Sequence, residues 1–489
     1  MLRRLTAQPT HRIVGTLLLA AVIAALLGWL APAAIAKPFF ILVGVLAAAA
    51  GAYLFWSIDP AWSISAGVAL AVFNGNWSHV GLPGGAGLAP DRALLALGIL
   101  SILVRGPGAR NRPAVPTGPA HWALVAAAVY AIGSAIWAGT VFDKAGGFLL
   151  IDRFTLMGFV LFTVAPVAFV TERQRQIFLM TLVGLGAYLG SQALFQTINA
   201  DALVFPKYIL DPSIGFHVDR ARGPFVEAEA NGLALFACTV AAVIAAVTWK
   251  RSGARWIAVI VAGLCAAGCL FTLSRAIWIG SVVGAMVALA AFAELRRFIV
   301  PVMTGALLLV ITAFAMVPGL QEKASARRQS KLPVYSRVNT NTAAINMIED
   351  KPLLGFGWGR YSTESLPYFW QAPNTPLFGT TANVHNVVLL NTVELGLVGA
   401  GLWLLAVLLA VGGAVIARGP PELRPWRIGL LAIAVQFAIV LNLTPLVYVF
   451  PNILLLLWAG VTLSWRARPA VAPGRDVVAG RPLARGSAG

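Results

Sequence analysis

The chain has 489 residues, of which 59% are hydrophobic and 11% are charged, and its mean hydropathy is +0.82. A soluble globular protein of this size could not keep so much apolar surface out of water, so the composition excludes that class. The net charge of +18 comes from basic residues scattered over short polar segments without interleaved aromatic residues, which argues against a nucleic-acid partner.

Apolar runs recur along nearly the whole chain, and most are close to the roughly 20 residues that cross a hydrocarbon layer as a helix. They are rich in Ala, Leu and Val and do not alternate with period two, which favours helices over barrel strands. The predicted spans are 13–36, 39–57, 61–77, 92–105, 119–138, 154–171, 176–199, 231–249, 255–273, 276–294, 297–317, 385–417, 427–445 and 448–465. We therefore predict an all-α integral membrane protein, a polytopic bundle of about fourteen helices.

Fourteen crossings place both termini on the same side of the membrane. Basic residues are frequent in the tails and in alternate short connections, and the positive-inside rule then makes both termini cytoplasmic. The predicted organisation is a cytoplasmic N-terminus (1–12), about eleven spans (13–317), a large outer loop (318–384), about three spans (385–465) and a disordered cytoplasmic tail (466–489). The three cysteines, Cys238, Cys265 and Cys269, lie within apolar runs and are interpreted as small buried hydrophobic residues.

The outer side is more basic than the positive-inside rule predicts. Arg275 occupies a tight turn between two apolar helices, where an unpaired cation is costly, so it is a candidate functional residue. The alternative is an arginine that extends to the lipid headgroups. Guanidinium groups bind phosphate in a bidentate manner, and a lipid diphosphate is the anion expected at this depth.

The loop 318–384 contains patterns typical of ordered structure. A short amphipathic helix is predicted over Thr340–Ile348, and Lys351-Pro352 ends it. Glycines then alternate through Gly355-Phe-Gly-Trp-Gly359, which allows close approach of the backbone to a neighbour or a ligand. Arg360 and Tyr361 follow, and the aromatic residues of this loop could stack on sugars or lie among lipid headgroups.

His385 and Asn386 stand at the predicted start of the next span. A neutral imidazole there could take a proton from a sugar hydroxyl, although a histidine at a helix start can also serve only as a hydrogen-bonding group. Glu394 lies inside the span and should face the bundle interior beside a cation. An ideal helix puts Glu394 roughly opposite His385, so the two are not assigned to one proton relay.

Four motifs, in this order, resemble the superfamily of O-antigen ligases and O-antigen polymerases, which are bacterial membrane glycosyltransferases. They are Arg220-Ala-Arg-Gly-Pro-Phe225 leading to Asn231; Leu273-Ser-Arg275; Ser336-Arg337 followed by Pro352-Leu-Leu-Gly-Phe-Gly357; and His385-Asn386 followed by Glu394-Leu-Gly396. The resemblance covers roughly residues 210–405. One departure is the insertion of Val226–Ala230, with Glu227 and Glu229, before Asn231; these glutamates could pair with Arg220 or Arg222 in the empty state.

The resemblance implies a GT-C-like fold at the outer face of the bacterial inner membrane, with twelve spans in well-studied ligases. It implies transfer of a glycan from a polyprenyl-diphosphate carrier to lipid A core, to another glycan or to protein, by a metal-independent, inverting reaction that needs no cofactor. Arg220 or Arg222, Arg275 and Arg337 would bind the diphosphate, and His385 would act on the acceptor; Asn231, Asn386, Glu394, Arg360 and Tyr361 are further candidates. A bicarbonate-uptake group shares the superfamily, so solute transport is the alternative, although no internal repeat supports it.

Overall fold

The computed structural model describes residues 58–80, 89–105, 115–317, 319–329, 331–370, 375–380, 383–444 and 448–467. The predicted spans 13–36 and 39–57, the N-terminus 1–12 and nearly all of the tail lie outside these residues. Every regular element in the described ranges is helical. The α-helices are α1 (Pro60–Leu70), α2 (Pro90–Arg105), α3 (Pro119–Trp137), α4 (Lys144–Asp152), α5 (Leu156–Ala168), α6 (Glu172–Thr197), α7 (Ala228–Thr248), α8 (Ser252–Phe271), α9 (Arg275–Ala291), α10 (Ile299–Met316), α11 (Leu320–Gln329), α12 (Leu332–Asp350), α13 (Tyr361–Glu364), α14 (Val387–Val407), α15 (Gly413–Ile416), α16 (Arg424–Leu441) and α17 (Val449–Thr462).

Eight helical segments in the described ranges are long and apolar enough to cross a membrane. They are Pro119–Trp137, Gly146–Ala168, Glu172–Thr197, Ala228–Thr248, Ser252–Phe271, Ala293–Met316, Val387–Ile416 and Pro421–Leu441. Three shorter apolar helices, Pro60–Phe73, Arg275–Ala291 and Val449–Thr462, accompany them. This architecture confirms an all-helical polytopic membrane protein, while the count of fourteen spans stays a prediction.

Two predicted elements differ in extent from the observed ones. The short helix expected over Thr340–Ile348 is the 19-residue α12, because Pro333 in its first turn favours an earlier start. The span expected from His385 begins at Val387, since the Asn386 side chain caps the helix by accepting from the amide of Leu389 at 3.0 Å.

Contacts between helix termini define two ends of the bundle. At the basic end, the Trp249 indole after α7 donates to Gln176 of α6 at 2.7 Å, and Arg424 of α16 pairs with Glu294 after α9 at 2.6 Å. The opposite end carries the N-termini of α7, α9 and α14, and we call it the site end. The connections to which these residues belong thus share one end, and their cytoplasmic location stays a prediction.

Helix α14 is interrupted at Gly396, whose φ of 67° and ψ of 179° are not helical. The segment 352–357 fills the interruption: the amides of Phe356 and Gly357 donate to the carbonyls of Val393 and Glu394, both at 2.9 Å. In return the amide of Leu397 donates to the carbonyl of Pro352 at 2.8 Å. The alternating glycines of the loop therefore allow close approach to a neighbouring helix, and the backbone groups freed by the break are satisfied within the chain.

Replacing Gly396 with alanine should strongly destabilise the folded protein. A Cβ at this position would lie 2.0 Å from the carbonyl oxygen of Leu353, and the positive φ adds about 1–2 kcal/mol of strain for an L-residue. Thermal unfolding in detergent should show a large fall in Tm or loss of monodisperse protein. Gly401→Ala is the matched control, because among the described residues no heavy atom outside its own helix backbone and chain neighbours lies within 4 Å of its Cβ position. Equal Tm values for the two variants would contradict this account of the helix break.

Candidate functional site

Three helix N-termini meet the irregular chain at the site end of the bundle. Glu227 is the N-cap residue of α7, Ser274 that of α9 and Asn386 that of α14. The free amides and the dipole of a helix N-terminus favour negative charge. The predicted functional residues Arg275 and His385 lie at two of these N-termini, because Arg275 is the first residue of α9 and His385 precedes Asn386.

Arg220 lies beneath this surface and is only 2% exposed. Its guanidinium nitrogen Nη1 is 3.6 Å from Oε1 of Glu229, yet none of its three guanidinium nitrogens has a hydrogen-bond partner among the described residues. Asn231 holds this segment in place by donating from its side-chain amide to the carbonyl of Ala221 at 2.8 Å. A buried guanidinium group with free donors is suited to an incoming anion.

Arg222, two residues further on, has a different environment. It is fully buried, and its guanidinium group donates to the carbonyls of Ile209, Asp211 and Ile214 at 2.9, 2.6 and 2.6 Å. Burial lowers the pKa of Arg222, with nearby carboxylates acting in the opposite direction. These bonds assign Arg222 to holding the 209–216 loop, and we do not include it in the proposed diphosphate site.

Two glutamates lie at the start of α7 beside Arg220, and the sequence predicted that they could pair with this arginine. Oε1 of Glu229 accepts a hydrogen bond from the Ser274 hydroxyl at 3.1 Å. Tyr448, the N-cap residue of α17, donates from its hydroxyl to Glu227 at 3.3 Å. Burial raises the pKa of Glu227 well above its ordinary value, and the adjacent Glu229 raises it further.

Arg275 and Arg337 complete the basic face of the site. Arg275 is exposed at the first position of α9, and its guanidinium group has no hydrogen-bond partner within the described part of the chain. Arg337 of α12 is half-buried. Burial lowers the pKa of Arg337, Glu229 raises it, and the charges of Arg275 and Arg220 lower it. We call Arg220, Arg275 and Arg337 the arginine cluster.

His385 lies next to this cluster. Its Nδ1 is 3.3 Å from the hydroxyl of Thr340, on the same helix as Arg337. Burial, and then the charge of Arg337, lower the pKa of His385 to about 4, and Glu229 acts in the opposite direction. The imidazole is therefore neutral near pH 7 and can accept a proton.

The remaining predicted residues have structural contacts. Glu394 is buried and forms an ion pair with Arg153, whose guanidinium group also lies 4.1 Å from the ring centroid of Trp358. The cation expected beside Glu394 is thus Arg153, away from His385. Arg360 donates to the carbonyl of Ala138 at 3.1 Å, after the end of α3. Tyr361 is 1% exposed and packs in the apolar cluster that joins the loop to α14.

Below Arg275, an apolar cleft of about 290 Å³ separates α10 from α7, α8 and α9. Leu270 and Trp278 line it near the site end, and Trp278 is one helical turn from Arg275. Met286 and Met303 line it further along the bundle. Helix α10 packs loosely, since Ala313 is its only buried residue, so the cleft is not closed by side-chain packing.

The sequence did not single out Ser274, Thr340 or Tyr448 as site residues. Ser274 could have been found, because it precedes Arg275 in the turn and a serine before a helix is a common N-cap. Thr340 and Tyr448 carry no local signal, since they reach the site through the packing of α12 and the start of α17.

A family model matches part of the chain. No curated protein matches the sequence. Residues 260–404 match the family model described as O-antigen ligase, a range that contains Arg275, Arg337 and His385. This match identifies the region as an O-antigen ligase domain and supports membership of the chain in the superfamily of O-antigen ligases and polymerases.

Proposed function

We propose that the protein transfers a glycan from a polyprenyl-diphosphate carrier to a hydroxyl group of a glycan acceptor, at the outer face of the bacterial cytoplasmic membrane. The observation that carries the proposal is the arginine cluster beside a neutral His385, with the buried Arg220 guanidinium group free to bind an anion. The match to the O-antigen ligase family supports glycosyltransferase chemistry of the ligase or polymerase type.

The proposed reaction assigns each group one task. His385 takes the proton of the acceptor hydroxyl as its oxygen attacks the anomeric carbon from the side opposite the diphosphate. The bond between the anomeric carbon and the diphosphate oxygen breaks, and its electron pair stays on the diphosphate. Arg220, Arg275 and Arg337 stabilise the charge that develops there. The products are the inverted glycoside and polyprenyl diphosphate.

The apolar cleft supplies a place for the carrier lipid. It begins one helical turn from Arg275, so a diphosphate bound to the arginine cluster would direct its isoprenoid chain into the cleft. Loose packing of α10 would admit the chain from the bilayer. Solute transport gains no comparable support, because the interruption in helix α14 is filled by the segment 352–357 of the same chain.

The direct test is transfer by purified protein reconstituted in lipid vesicles containing EDTA. A polyprenyl-diphosphate oligosaccharide and a glycan acceptor should yield the coupled glycan and free polyprenyl diphosphate, detected by mass spectrometry. Net solute flux without transfer would contradict the proposal and favour transport. Transfer to a protein acceptor in place of a glycan would indicate an oligosaccharyltransferase.

Filling the cleft should selectively impair long-chain donors. Ala306→Trp places an indole ring in the cleft and should raise KM for an undecaprenyl donor about tenfold, with little change for a donor whose lipid has two isoprene units. Leu307→Trp is the matched control, because Leu307 is 59% exposed on the same helix. Equal KM values for both variants and both donors would refute placement of the lipid in this cleft.

A further inference from the structure

Glu229 stands at the centre of the proposed site. Its Oε1 accepts from the Ser274 hydroxyl at 3.1 Å and lies 3.6 Å from the Arg220 guanidinium group. Its charge also acts on Arg337 and on His385. The Glu229 carboxylate thus lies among groups from the 220 loop, from the start of α9, from α12 and from the chain before α14. A phosphate oxygen bound at this place would find hydrogen-bond donors in the same groups.

The neighbouring Glu227 lies beside the same carboxylate. Its side chain is half-buried, and the Tyr448 hydroxyl donates to it at 3.3 Å. Burial raises the pKa of Glu227 well above its ordinary value, and Glu229 raises it further. Glu229 is the glutamate that lies 3.6 Å from the Arg220 guanidinium group, so its charge offsets part of the positive charge of the arginine cluster.

The proposed donor and its product differ in charge. A diphosphate esterified at both ends, as in the donor, has two ionisable oxygens and a charge of −2. Polyprenyl diphosphate, esterified at one end, has an additional ionisable oxygen with a pKa of about 6, so it carries a further negative charge through much of the neutral range. The guanidinium groups of the arginine cluster attract the more highly charged product more strongly than the donor, and an anion inside the site reduces this difference because it opposes the third charge of the product.

We propose that Glu229 is a specificity-determining residue that limits the preference of the arginine cluster for the more highly charged product over the doubly charged donor diphosphate and so promotes product release. This inference rests on the proposed function. It assigns a role to the glutamates that interrupt the motif between Phe225 and Asn231.

The test compares two ligands that differ by one charge, polyprenyl diphosphate and its methyl diester, in titration calorimetry with detergent-solubilised protein at pH 7.5. The arginine cluster should favour the monoester over the diester, and in wild type Glu229 should limit that preference. In Glu229→Gln the affinity for the monoester should rise by about tenfold relative to the diester, because a like charge is removed. Glu229→Asp should keep the wild-type preference, and Glu364→Gln, which removes an exposed carboxylate of α13, should not change it.

The dependence on pH provides a second readout. As the pH falls below about 6 the third charge of the monoester is neutralised, so its affinity should fall toward that of the diester. In Glu229→Gln this fall should be larger, because no carboxylate opposes the third charge at higher pH. The other charged or titratable groups that act on the glutamate pair must be controlled by using the diester as reference; they are Arg220, Arg222, His217, Arg337, His385 and Tyr448.

The outcomes separate this inference from the function on which it rests. If Glu229→Gln weakens both ligands equally, Glu229 only holds Arg220 in place and the inference is wrong. If wild type binds both ligands but the variant leaves their ratio unchanged, the inference is also wrong while the proposed function stands. If wild type binds neither ligand, the diphosphate site itself is refuted.

Discussion

Replacing Arg275 with alanine should lower the rate of glycan transfer by about 10²–10³-fold, the loss expected when one donor to a developing oxyanion is removed. Arg275 is exposed at the start of α9, so its removal leaves the bundle core intact. The loss should fall mainly on kcat, because the guanidinium group acts most strongly on the charge that the diphosphate gains as the glycosidic bond breaks. Steady-state transfer with reconstituted protein measures this effect.

Two variants make the result specific to the arginine. Arg275→Lys keeps the charge but loses bidentate bonding, and it should recover only part of the rate. Lys331→Ala removes an exposed cation beside α12 and should transfer at the wild-type rate. Full activity of Arg275→Ala in folded, membrane-inserted protein would exclude Arg275 from the site.

The second large effect is expected at His385. His385→Ala should lower kcat by about 10²–10⁴-fold, since the proton of the attacking hydroxyl then has no positioned acceptor. Circular dichroism and gel filtration should be unchanged, because the neighbouring Asn386, not His385, caps α14. His79→Ala is the control, as His79 is exposed near the same end of the bundle.

The pH profile tests the same residue without removing it. A general base is active when unprotonated, so activity falls as the pH drops through its pKa. Burial, and then Arg337, lower the pKa of His385 to about 4, so kcat/KM should stay flat from pH 8 to about pH 5 and decline below that. In Arg337→Gln the decline should begin at higher pH, because one of the causes of the low pKa is gone. A wild-type decline centred near pH 6.5 would contradict the buried environment described for His385.

Sequence reasoning predicted that the candidate site residues lie on one side of the membrane, for a physical reason. An apolar helix that crosses the bilayer must have its ends on opposite sides, so Arg275, Arg337 and His385 share a side once the spans are counted. It also predicted a cation beside Glu394, since a carboxylate inside a span needs one. That cation is Arg153, which lies 241 positions away in the chain. Its identity followed only from helix packing.

Arg220 and Arg222 show the limit of such reasoning. They are two residues apart in an irregular segment, and local sequence treats them alike. The path of the 209–216 loop brings carbonyl groups to Arg222 and leaves Arg220 facing Glu229, and this path depends on contacts with distant helices. In the same way, the alternating glycines predicted a close approach, but only the tertiary structure identified its partner as the break in α14 at Gly396.

Composition and hydropathy by themselves determined an all-helical membrane protein, because a backbone in hydrocarbon must satisfy its own hydrogen bonds and the apolar runs have the length of helical spans. The order of the arginine and histidine motifs indicated the chemistry. The tertiary structure decided which arginine keeps guanidinium donors without hydrogen-bond partners among the described residues, which carboxylate lies among the cations and how deeply His385 is buried. These properties arise from desolvation and from charges brought together across the chain, and local sequence does not encode either of them.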